Sequence, residues 1–105
     1  MDALDFIKNH IQSGRLYWTY HVNMRLKDRH IPRREILSSL ETYEIIEEYP
    51  EDKYLPSYLV YAKHGKKKFH ILTAIDKLDD KIIIITCYEP DSNNWEADGK
   101  TRRRK

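Results

Sequence analysis

The segment HVNMRLKDRH, residues 21–30, spaces His21, Arg25 and Arg29 four residues apart. On a helix that spacing makes surface neighbours, so one imidazole and two guanidiniums form a single polar stripe. Further along, FHILTAID sets His70 inside a strand-like run, and IIIITCYEP carries Tyr88 near its end. These residue types suffice for transesterification of RNA without a metal. A base takes the 2′-hydroxyl proton, an acid protonates the leaving 5′-oxygen, and cations stabilise the charge gained on the phosphorus oxygens. Histidine suits the proton steps because its ordinary pKa lies near neutrality. Arginine stays charged, and its fork can bind two oxygens at once. Tyrosine can give a hydrogen bond or a proton, or stack on a base. The chemical reading makes His70 the base or acid, with Tyr88 or His21 as its partner, and puts Arg25 and Arg29 on the phosphate. The plainer reading makes His70 and Tyr88 strand residues of the core, and lets the arginines brace the fold against Glu47, Glu48 or Asp52.

The elements that must position these groups follow from periodicity. Leu4, Ile7 and Ile11 predict a helix over residues 2–13, ended at Gly14. Trp18, Val22 and Leu26 predict a second over 19–29, with the His21–Arg25–Arg29 stripe on its flank. Pro32 opens a third, PRREILSSLE, since proline suits a first helical turn. YEIIEEY then reads as a strand near an edge, stopped by Pro50. SYLVYAK, KFHILTAID and KIIIITCYEP are three more strands, joined by the turns HGKK and KLDD. Four successive isoleucines in the last predict a central strand buried on both faces. Short turns imply antiparallel neighbours, and segregated helices and strands imply an α+β class. The expectation is two to three helices followed by a four-stranded antiparallel sheet. The register of the last hairpin stays open. A three-residue turn at 78–80 puts His70 opposite Tyr88, whereas a two- or four-residue turn separates them onto opposite faces.

The chain of 105 residues suits one domain, 1–105, with a polar, partly disordered tail over 91–105. Trp95 is the tail's apolar anchor, packing on the sheet or stacking on a base. Net charge is only +2, but its distribution is uneven. ETYEIIEEYPED is acidic, while HGKKKFH, IPRRE and the terminal KTRRRK are basic. In that tail Arg102 and Arg103 would add sequence-independent affinity for RNA. Cys87 is the single cysteine, which excludes an internal disulfide and fits a reducing compartment. The five histidines lack zinc-finger spacing, so no metal and no cofactor is expected. The glycine fingerprints of nucleotide-binding folds are absent. The first ten residues are acidic and amphipathic, unlike a signal peptide, and IIIITCY is too short to span a bilayer. The chain therefore reads as cytoplasmic, with no membrane partner.

Taken together, the H-x3-R-x3-R spacing of HVNMRLKDRHI, then EIIEEYPEDKYLPSYLVYA, FHILTAID and IIIITCYEPDSNNWEADGKTRR, resemble a bacterial toxin-like family of domains of unknown function. That family is similar in turn to the RelE and MqsR toxins of toxin–antitoxin pairs. The matching positions are His21, Arg25, Arg29, Pro56, Ser57, His70, Tyr88, Glu89, Pro90, Asp91 and Trp95. The resemblance implies a RelE-like fold and metal-free cleavage of mRNA, often ribosome-bound. It also implies silencing by a cognate antitoxin, one with a YgiT-type zinc finger. The family's usual residue after the second arginine is a glycine in a left-handed helix cap, and here His30 stands there. The lysine–glutamine–tyrosine set of MqsR-type toxins has no equivalent. The competing class is a non-enzymatic module that binds RNA or an acidic protein partner.

Overall fold

The computed structural model describes residues 2–104; Met1 and Lys105, the last residue of the basic tail, lie outside the described residues. The chain order is α1 (Ala3–Gln12), β1 (Leu16–Trp18), α2 (Tyr20–Asp28), α3 (Arg33–Ser38), a 3-10 turn (Leu40–Thr42), then β2 (Glu44–Tyr49), β3 (Ser57–His64), β4 (Lys67–Asp76) and β5 (Lys81–Tyr88). The class is α+β. The sheet is five-stranded and mixed, in the order β1-β5-β4-β3-β2, where four antiparallel strands were expected. The addition is β1, three residues that pair parallel with β5 through Leu16–Ile82, Tyr17–Ile83 and Trp18–Ile84. A three-residue strand between two helices carries too little alternation to read from sequence. β2 forms the opposite edge, as Pro50 predicts.

Local chemistry sets the helix ends. Asp2 caps α1 by accepting the amide of Asp5 at 2.8 Å, and Thr19 caps α2 by accepting that of Val22 at 3.1 Å. After α2 the amide of His30 returns to the Lys27 carbonyl and that of Ile31 to the Leu26 carbonyl. This is a Schellman closure, with Leu26 and Ile31 both buried. Its left-handed residue is His30, at φ 55°, in the place where the resemblance puts glycine. The third helix is shorter than PRREILSSLE. Pro32 stands at its N-cap in an extended conformation, and a 3-10 turn replaces its last residues.

Ile7, Ile11, Val22, Leu26 and Ile36 from the helices pack with Val60, Ala62, Phe69, Ile71, Ile82, Ile84 and Cys87 of the sheet. Since strand side chains alternate, this cluster defines one face. β5 is therefore buried on one side only: Ile82 and Ile84 are enclosed, while Ile83 and Ile85 are partly exposed on the other. The middle strand is β4. On the helix-free face three rows cross from β2 to β5: Glu44–Tyr61–His70–Tyr88, Glu47–Leu59–Leu72–Thr86 and Tyr49–Ser57–Ala74–Ile83. The β4–β5 loop has four residues, since Asp76 pairs with Lys81. That length alone would separate His70 from Tyr88. Ile85 is an extra residue that shifts the register between Leu72 and Thr73, and this bulge returns the two side chains to one row.

Candidate functional site in the helix-free cleft

From Asp91 the chain folds back over the first row as a hairpin. Trp95 and Arg102 form a β-bridge, and the amide of Glu96 donates to the Thr101 carbonyl at 2.8 Å. The Asp98 carboxylate fixes the turn by accepting the amides of Lys100 and Thr101 at 2.8 and 3.0 Å. Two ion pairs clamp the hairpin to β2. Lys100 meets Glu44 at 2.8 Å, and Arg102 makes a two-pronged contact with Glu47 at 2.5 and 3.0 Å. Arg102 also lies over the Trp95 ring, 4.6 Å from its centroid.

His70 sits beneath this hairpin, fully buried. The Trp95 ring meets it edge-on at 4.3 Å. Its Nε2 lies 2.5 Å from the Gly99 carbonyl and its Nδ1 lies 3.3 Å from the Tyr88 hydroxyl. Burial pushes the His70 pKa below its ordinary value, against the opposing effects of the Gly99 carbonyl and the Glu47 charge. The ring is therefore neutral at pH 7. The carbonyl can only accept, so the proton is assigned to Nε2 and the lone pair of Nδ1 faces Tyr88. Burial likewise raises the Tyr88 pKa, which keeps its hydroxyl protonated and able to donate to Nδ1.

Tyr88 opens onto a cleft of about 320 Å³ lined also by Tyr49, Asp52, Leu59, Leu72, Thr86 and Arg102. The Arg102 side chain is 57% exposed. Its contact with Glu47 holds that carboxyl below its ordinary pKa, so both charges persist at neutrality. Tyr49 donates to Glu47, and Ser57 to Asp52. The cleft thus combines a cation, a tyrosine hydroxyl and a neutral imidazole behind it. That set can move a proton beside a bound anion. A second trough of about 330 Å³, lined by Tyr54, Leu55, Ala74, Ile83 and Ile85, shares Asp52 with the first.

The stripe on α2 lies elsewhere. Val22 and Leu26 seat that helix on the opposite side of the sheet from His70. His21 and Arg25 are exposed, with the Arg25 Nε donating to His21 Nε2 at 3.4 Å. Arg29 donates from Nη1 to the Cys87 carbonyl at 2.7 Å, bracing α2 against β5. Glu47, considered as a brace for the stripe, pairs with Arg102 instead. Trp95 is buried, and Arg103 donates to the Ser92 carbonyl and meets Glu96 at 3.1 Å. Hence the structure gathers His70, Tyr88, Trp95 and Arg102, and leaves His21, Arg25 and Arg29 on the far side. Sequence reasoning did not single out Tyr49 or Gly99, and it named Glu47 and Asp52 only as braces for the α2 arginines. Thr86 was legible as the alternate neighbour of Tyr88, whereas Tyr49 and Asp52 come into place only through the β2–β3 pairing and its bulge after Ile45.

The Cys87 thiol is buried, which pushes its pKa up to about 12 and removes it as a nucleophile. Among the described residues no group of three or more His, Cys, Asp or Glu is arranged to hold a metal ion. No described helix is long and apolar enough to cross a membrane. No curated protein and no solved structure matches the chain. A family model described as a domain of unknown function, DUF4258, matches residues 18–89. That segment starts in β1 and runs just past β5. It contains His70 and Tyr88, and leaves out α1 and the C-terminal hairpin. The match spans more than half of the sequence, and so the chain belongs to the DUF4258 family.

Proposed function

We propose that this protein cleaves mRNA without a metal at the helix-free cleft, as the toxin component of a toxin–antitoxin pair. The observation that carries the reading is the Tyr88–His70 hydrogen bond opening onto a cleft shared with Arg102. In the reaction the 2′-hydroxyl gives its proton to the Tyr88 oxygen as Tyr88 passes its own to His70 Nδ1. The 2′-oxygen bonds to phosphorus, the bond to the 5′-oxygen breaks, and water in the open cleft protonates that oxygen. Arg102 faces the charge gained on the phosphorus oxygens. The resemblance to the RelE and MqsR toxins supports the toxin role, a cytoplasmic site of action and an antitoxin with a zinc finger. Purified protein incubated with total RNA in chelator, with and without ribosomes, tests the reading. Cleavage in either condition is expected, and intact RNA in both would refute it.

One observation favours a second reading. Both nitrogens of His70 and two donors of Arg102 already have partners within the chain. A module that only binds RNA or an acidic protein would use the exposed side chains of His21, Arg25 and Arg103 and leave that network intact. Retained RNA binding without cleavage distinguishes it.

A further inference from the structure

The family segment supplies Tyr88 and His70, yet the groups that orient His70 come from outside it. The Trp95 ring and the Gly99 carbonyl both belong to the hairpin after residue 89. We propose that this hairpin is a positioning element of the cleft, with the Gly99 carbonyl holding His70 in the tautomer that can accept the proton of Tyr88. The inference rests on the reading that Tyr88 and His70 act together on RNA.

The argument starts from hydrogen-bond direction. A neutral imidazole carries one proton, on either nitrogen. With the proton on Nε2, the Nδ1 lone pair receives from Tyr88. With it on Nδ1, the ring donates to the Tyr88 oxygen and the relay runs the wrong way. A carbonyl 2.5 Å from Nε2 decides between the two. After the transfer the ring is an imidazolium that still donates to Gly99. When product leaves it returns its proton to Tyr88, as Tyr88 gives up the one taken from the 2′-hydroxyl to the hydroxide left by the protonating water. An acceptor behind the base is the same logic that fixes the histidine of hydrolytic triads.

The local build of the hairpin serves this one contact. Gly99 adopts φ +72°, and a Cβ there would lie 2.9 Å from Lys68 Cδ and 3.3 Å from Tyr61 Cε2. A side chain at that left-handed φ is strained, and its Cβ would have to displace Lys68 and Tyr61. Lys68 donates to the Ala97 carbonyl on the first arm of the hairpin, Lys100 lies 4.9 Å from the Tyr61 centroid, and the clamps to Glu44 and Glu47 hold the second arm down.

The test uses the full chain labelled with 15N-histidine. In the wild type, His70 should show a protonated Nε2 and an unprotonated Nδ1 at pH 7. Gly99→Val, which forces a branched side chain into a left-handed site, should mix the tautomers and lower kcat roughly tenfold or more with KM little changed. Lys100→Glu opposes Glu44 with a like charge and gives a milder version of the same change. Adding Glu44→Lys to Lys100→Glu should restore both the tautomer and kcat, a rescue that loss of fold would not give. A proton on Nδ1 in the wild type, or an unchanged tautomer in both Gly99→Val and Lys100→Glu, overturns the inference. A wild type with the expected tautomer that cuts no RNA refutes the nuclease reading instead, and supports the positioning contact.

Discussion

Replacing His30 with glycine should stabilise the protein. His30 closes α2 at φ 55°, where an L-residue's Cβ crowds the following carbonyl at a cost of roughly 1–2 kcal/mol. Glycine removes that cost, but its freer unfolded chain returns roughly 0.4–1 kcal/mol. The net gain is about 0.5–1 kcal/mol. The Schellman hydrogen bonds use backbone only, from His30 to Lys27 and from Ile31 to Leu26, so nothing in the closure depends on the imidazole. With an unfolding entropy of roughly 2.1 cal/mol/K per residue, that gain raises Tm by about 2–5 °C for a chain of 105 residues. The assay is urea and thermal unfolding of wild type, His30→Gly and His30→Ala. Alanine retains the crowded Cβ and should show no such gain. Equal stability of the glycine and alanine variants would refute the reasoning, because the left-handed strain would then be absent.

Three further outcomes follow from contacts on the two faces. Arg29→Ala should destabilise by about 1 kcal/mol, a charge-assisted bond to the Cys87 carbonyl discounted for exposure, whereas Arg25→Ala should change stability by less than about 0.5 kcal/mol in the same urea titration. The lowered pKa of His70 means the unfolded state binds its proton first as pH falls. Stability should therefore decline as pH drops below about 6.5, toward the folded-state pKa, and His70→Gln, with Tyr88, Glu47 and Arg102 still facing the position, should lack that part of the decline. Glu47, held below its ordinary value by Arg102, contributes stability that is complete above about pH 4.5 and is lost as pH falls through its folded-state pKa. Trp95 fluorescence in a Trp18→Phe background should report the loosening of the hairpin there.

Residues whose signals are local were legible in the sequence. Gly14 and Thr19 mark helix ends because caps act within a turn. Pro50 marks an edge because it cannot serve an inner ladder. The pairing of His70 with Tyr88 was not legible, because two irregularities cancel: a four-residue loop that separates them and a bulge at Ile85 that reunites them. Neither leaves a mark in a run of isoleucines. β1 escaped because three residues are too few to show a period. The helical stripe of His21, Arg25 and Arg29 was visible, but periodicity cannot say which side of the sheet a helix covers. The hairpin was hidden for a different reason. Its polar composition reads as a solvated tail, while its order comes from long-range pairs such as Lys100–Glu44 and Arg102–Glu47.

The most direct test of the central claim is the rate of RNA cleavage in chelator by wild type and by Tyr88→Phe. Phenylalanine keeps the ring in its row beside His70 and removes only the hydroxyl that faces the cleft. With the variant folded as judged by unfolding midpoint, cleavage should persist in chelator for the wild type and fall by about 10²–10⁴-fold in Tyr88→Phe, the usual weight of a positioned proton-transfer group. Undiminished cleavage by Tyr88→Phe, or wild-type cleavage abolished by the chelator, would contradict the account.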